Sequence, residues 1–251
     1  MAISINVNGS LDGYEESKSY PGRYYVYIRP TALPPTGMLR MVKCEKGFGA
    51  PADAVQKLGV FAILCEPESI PSAQIGDRVS CNVTCWPVSK PVWSDRLNNI
   101  SQAKDTEFFY VLNGEIKSST SKPTPAAYTA QAFYAGAVKD DRGISVRMVI
   151  DDQPPAWLLR EQRIKKGKQN NFVTGTDMVA KLVVIAEEMH MGNVQPNSLI
   201  ESKGVCWPIC HPYWDRKTEQ IIWQKIPSPI FLTNHAITQD KAKPAAAVTI
   251  S

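Results

Sequence analysis

Eight basic residues fall into two short runs. Arg40, Lys43 and Lys46 are spaced three apart; Arg160, Arg163 and Lys166 repeat that spacing, and Lys165 and Lys168 thicken the second run. On a helix, residues three apart share a face. Each run would then present a cationic edge able to meet phosphate oxygens, on RNA or on an acidic lipid head group. Met38, Met41 and Val42 would take the opposite side in the first run, as Trp157, Leu158 and Ile164 would in the second. A solvated helix face with ordinary surface charge is the plain alternative. The net charge of +4 permits an anionic partner without demanding one.

Cysteine is the next residue type that could do chemistry. Cys81-x3-Cys85 and Cys206-x3-Cys210-His211 have the composition of zinc clusters. Their spacing departs from the usual C-x2-C, and only Cys85 and Cys206 recur at matching places. The expectation is therefore buried cysteine packed beside tryptophan, with no metal. Catalytic arrangements fare worse. His190, His211 and His235 are the only histidines, and none sits in a nucleophile–base motif. No phosphate-binding glycine loop, G-x-S-x-G or H-E-x-x-H is present. Asp151-Asp152 and Glu187-Glu188 are adjacent pairs, and neighbours on a strand point to opposite faces. The chain reads as a non-enzyme without a cofactor.

What must position these residues is a repeat. Residues 34–47 and 154–167 share two prolines, a leucine, an arginine, a basic residue, a lysine and a closing glycine. The apolar runs 60–66 and 181–187 correspond. So do Cys85, Trp86, Pro87, Trp93, Asp95 and Arg96 with Cys206, Trp207, Pro208, Trp214, Asp215 and Arg216. The offset is 120 or 121 throughout, which predicts an internal duplication. In this motif the tryptophans and prolines suit a rigid corner, with Asp and Arg paired. A platform on which a ligand stacks is the functional alternative. The expected organisation is a β-rich first repeat over 1–117, a Ser/Pro-rich linker over 118–128, a β-rich second repeat over 129–238 and a loose tail over 239–251.

Within each repeat, 23–28 and 144–150 alternate and carry aromatic and β-branched residues, as strands do. Proline at the start and glycine just past the end predict short helices over 35–47 and 155–167. Runs 58–64 and 179–185 read as strands, with Thr176 and Asp177 able to cap a helix over 178–190 instead. Segments 107–112 and 230–233 close the two repeats as strands. The predicted fold class is mostly β, a sandwich or barrel decorated with one or two short helices per repeat.

No apolar run approaches the roughly 20 residues of a membrane-spanning helix. The first residues lack the pattern of a signal peptide, so a cytoplasmic protein is expected, and the triplets headed by Asn8, Asn82 and Asn99 are read as chance matches to a glycosylation site. Six cysteines are ordinary in a reducing compartment. Two similar faces and a repeated basic edge suit a self-assembling structural protein: a viral coat, nucleocapsid or matrix-type protein, forming a homo-oligomer or lattice and carried in a virion. Size and two-β-domain plan are similar to those of matrix proteins of negative-strand RNA viruses, a likeness of architecture that no motif carries. The alternative is a cytosolic pseudo-symmetric module that binds a ligand or partner.

Overall fold

The computed structural model describes residues 3–46, 49–121, 124–168 and 171–239. Its strands are β1 (Ile3–Glu16), β2 (Tyr24–Pro30), β3 (Met41–Cys44), β4 (Ala52–Val55), β5 (Lys57–Leu58), β6 (Phe61–Cys65), β7 (Arg78–Ser94) and β8 (Asn99–Ser118). They continue as β9 (Ala126–Asp140), β10 (Gly143–Val149), β11 (Glu161–Lys166), β12 (Asn171–Thr176), β13 (Met178–Val179), β14 (Lys181–Ala186) and β15 (Leu199–Cys210). The last are β16 (Pro212–Asp215), β17 (Gln220–Trp223), β18 (Ser228–Thr233) and β19 (Thr238–Gln239). The expected linker 118–128 thus holds the end of β8 and the start of β9, and all but the first residue of the expected tail lies outside the described residues.

Backbone pairing closes two circuits. β1 pairs with β2, β2 with β6, β6 in parallel with β8, β8 with β7, and β7 with β1. β9, β10, β14, β18 and β15 close in the same order, with β14 and β18 the parallel pair. Closure leaves neither set with a free edge. Three further pairings run between the circuits. β1 meets β9 antiparallel, from Ile3↔Ala130 to Asn6↔Ala127. β5 adds to the end of β15, and β13 reciprocally to β7.

The β-rich expectation holds, and the helix expectation is corrected. Among the described residues no helix reaches seven residues. Pro35 and Pro155 do open helical turns, but those turns are three residues of 3-10 helix, Thr36–Met38 and Ala156–Leu158, ending on extended Leu39 and Leu159. The basic runs beyond them are strands β3 and β11, each paired with a return strand, β4 and β12. A partner strand supplies each backbone with hydrogen bonds that local sequence cannot reveal, and this overrides a modest helix preference. The helix over 178–190 is likewise replaced by β13, β14 and a short turn, Glu188–His190.

Apolar alternation along the strands builds the core. Ile3, Ile5 and Val7 are buried on β1 while Ser4 and Asn6 are exposed. One continuous cluster draws on both circuits, including Val26, Phe61, Cys85 and Tyr110 from the first and Tyr128, Val184, Cys206 and Phe231 from the second. Burial pushes the Cys81 thiol up to about 12 and Cys65 up to about 11, with Cys85 and Cys206 also raised. Tyr110 is wholly buried, and its hydroxyl has no hydrogen-bond partner among the described residues. An unmet buried hydroxyl carries a desolvation cost of about 1–3 kcal/mol. Tyr110→Phe should therefore leave stability unchanged or raise it, as read from the urea midpoint at constant slope. A loss of about 1 kcal/mol would instead reveal a bond to this hydroxyl.

Candidate functional site

Two pairs of hairpins stand on the circuits, and each pair takes one hairpin from each half of the chain. β11–β12 packs against the far part of β7, where a Cβ at Gly175 would crowd Pro91 and collide with Ile164 of the same hairpin. The Nζ of Lys166 lies 4.3 Å from the ring centre of Trp93 on that part of β7. In the second pair, β3–β4 packs against β16–β17. There Lys46 stands 5.4 Å from the Trp214 ring, and Lys57 stands 3.5 Å from Trp223. Cation–ring contacts of this kind stabilise by about 0.5–1 kcal/mol at exposed places. The basic runs and the tryptophan motifs, separate features in the sequence, therefore meet crosswise.

Strand geometry redistributes the eight basic residues. On β11, Arg163 and Lys165 share one face, and Lys166 joins Ile164 on the other, so the expected single edge of Arg160, Arg163 and Lys166 does not form. Arg160 is committed elsewhere: its Nε donates to Asp177 Oδ2 at 3.1 Å, and its guanidinium lies 3.5 Å from Glu107. Asp177 is 2% exposed, so this pair fixes the base of the hairpin. Arg40 forms an ion pair with Asp141, and Lys43 faces Asp53 across the β3–β4 ladder. Arg163, Lys165, Lys166 and Lys168 remain together on and beside β11, all exposed.

Directly opposite Lys165 on β12 is Phe172, and its ring is 63% exposed. Opposed residues of an antiparallel pair lie on one face, close enough to act together. Tyr213 on β16 is a second exposed ring, at 47%. Sequence reasoning missed both rings. The only signal available was an aromatic residue placed within a few positions of each basic run or motif.

The tryptophan motif divides by depth. Trp86 and Trp207 are buried, as are Pro87, Pro208, Cys85 and Cys206, whereas Trp93 and Trp214 are half-buried on the hairpins. The expected Asp–Arg pairs are not formed. Asp215 accepts from the Lys217 amide at 3.0 Å and the Thr218 hydroxyl at 2.7 Å, which holds the β16–β17 turn and draws its carboxyl below the usual range. Asp95 lies on the corresponding β7–β8 turn, with Arg96 exposed beside it. Among the described residues no three His, Cys, Asp or Glu side chains are grouped as a metal would need. Cys81 and Cys85 face the core, and the His211 Nδ1 lies 2.9 Å from Gln56 Nε2. No helix among the described residues is long and apolar enough to cross a membrane.

No protein-family profile matches the chain, and no curated protein matches it. Two solved structures are similar in outline. A deletion mutant of the single-stranded DNA binding protein from Thermus aquaticus is 8% identical, with a TM-score of 0.44, covering 96% of this chain and 94% of that one. The wild-type protein is 9% identical, with a TM-score of 0.42, covering 98% and 96%. The viral coat, nucleocapsid or matrix reading is corrected by the geometry of the basic runs. The repeated basic helix on which that reading stood is a pair of β-hairpins.

Proposed function

We propose that this protein binds single-stranded nucleic acid without catalysing a reaction on it. The observation that carries the reading is the β11–β12 hairpin, where the exposed Phe172 ring faces Lys165 with Arg163 on the same face and Lys168 just beyond the strand. Single strands are held by this combination: an aromatic ring for a base to stack on, and flanking cations for the backbone. Duplexes keep their bases stacked on each other and offer no free face to such a ring.

We also propose that the chain is an internal duplication, its halves being homologous domains joined across 118–128. The recurring motifs, the two circuits closed in one order and the reciprocal β5–β15 and β13–β7 pairings support that reading. Each circuit is then a five-stranded barrel of the OB type, an architecture that binds oligonucleotides on one face and on its long loops.

Fluorescence anisotropy with a labelled oligothymidylate of about 20 nucleotides tests the function, since an OB fold occupies about 4–16 nucleotides. Tight binding at low salt is expected, with log affinity falling against log salt by about 0.7 for each phosphate neutralised. The duplex of the same length should bind more weakly. Absence of binding at low salt, or equal affinity for the duplex, would sink the proposal.

A further inference from the structure

The two circuits offer unequal outer faces, and only one suits a phosphate backbone. On the first, β2 and β6 turn Tyr25, Tyr27, Ala62 and Leu64 outward from the circuit. Tyr27 donates to Glu15 at 2.6 Å, and Arg29 is held by both oxygens of Asp12 at 2.7 and 3.0 Å. Ala62 is 4% and Leu64 0% exposed, so that strand is covered. On the second, the same register places Arg147 where Tyr27 stands and Val183 where Ala62 stands. Lys181 and Val183 on β14 are open to solvent. The carboxylate of Glu15, opposite Tyr25, has its place taken by Val138, opposite Ser145.

A cleft of about 650 Å³ lies over this second face. Lys104, Arg142, Lys181 and His211 line it, with Asp105 the one carboxylate of the lining. Lys104 belongs to the other half of the chain. The β7–β8 register shifts between Ser89↔Thr106 and Pro91↔Gln102, which throws 103–105 out of the ladder and puts Lys104 and Asp105 in the cleft wall. The Arg142 Nε is buried without a hydrogen-bond partner among the described residues. Lys181 also lines an adjoining pocket of about 390 Å³ with Leu97, Ile100 and Met178, which gives the cations an apolar neighbour.

We infer that the backbone of a bound single strand runs through this cleft on the second half alone, its phosphates met by Lys104, Arg142 and Lys181, while the outer face of the first half binds none. The inference rests on the single-strand reading above. The halves are thus unequal in function, and the first half serves the site by lending the β8 bulge as a wall.

The test compares two double charge reversals of equal charge change, K104E with K181E in the cleft and K18E with R29E on the first half. All four residues are exposed, and circular dichroism checks that each variant folds. Anisotropy with the same oligothymidylate should show the cleft pair binding roughly 10-fold or more weakly, with the salt slope reduced by about 1.4 for two lost phosphate contacts. The first-half pair should keep a slope close to that of the unaltered chain. Equal losses in both pairs, or a larger loss in the first-half pair, would overturn the inference. A cleft pair that binds normally while Phe172→Ala weakens binding would overturn the cleft and leave the single-strand reading standing. No binding by the unaltered protein would overturn both.

Discussion

Phe231→Ala should lower stability by about 3–5 kcal/mol, the cost of emptying a large aromatic site in a packed core. Phe231 is 1% exposed on β18. Its ring meets Tyr128 edge-on at 5.1 Å and leans on Phe108 at 6.1 Å and 46°. Phe108 comes from β8 of the first circuit and Tyr128 from β9 of the second, so the cavity would open where the two halves share their interior. The rings around it are anchored in closed circuits and cannot collapse inward. Urea unfolding should show one transition with an earlier midpoint and an unchanged slope, because both halves lean on the missing ring. Phe231→Leu, which refills most of the volume, should recover much of the loss. Two separated transitions, with only the later half shifted, would contradict a common core.

Phe172→Ala should leave stability within about 0.5 kcal/mol, since the ring is 63% exposed and packs against little. Its effect should fall on binding. Loss of a base-stacking ring costs about 1–3 kcal/mol, or roughly 5- to 150-fold in affinity for the oligothymidylate. The salt slope should hardly move, because no charge is lost. Lys165→Ala, one strand away, should behave in the opposite manner, weakening binding modestly and lowering the slope by about 0.7. Phe172→Trp should retain or improve affinity. Unchanged affinity in Phe172→Ala would mean that bases stack elsewhere and would remove the observation on which the functional reading stands.

Much of the strand content was legible because burial imposes a period of two. In 23–28, Val26 and Ile28 alternate with Tyr25 and Tyr27 and announce a half-buried strand. The apolar runs 60–66 and 181–187 announce strands too, of which β6 is covered while β14 is open at Lys181 and Val183. The recurrence around Cys85 and Cys206 was equally visible, since tryptophan and proline are rare enough to mark matching places. The helices failed for a definite reason. Proline at the start of 35–47 and 155–167 does open a turn, but the conformation beyond that turn depends on whether a return strand lies alongside, and spacing carries no trace of that. With the helix went the single basic edge, for residues three apart share a helix face and oppose each other across a strand.

By itself the sequence determined the β-rich class, the positions of most core strands and the set of cations and rings from which a binding surface could be built. Those properties arise from local alternation and composition, which each segment carries with it. Only the tertiary structure decided which of those residues meet. Lys166 reaches Trp93, and Lys46 reaches Trp214, across the two halves. Arg160 is tied down by Asp177, and a bulge in β8 brings Lys104 into the same cleft as Lys181. Each of these depends on how the strands pair and pack on one another and not on any pattern within a single strand.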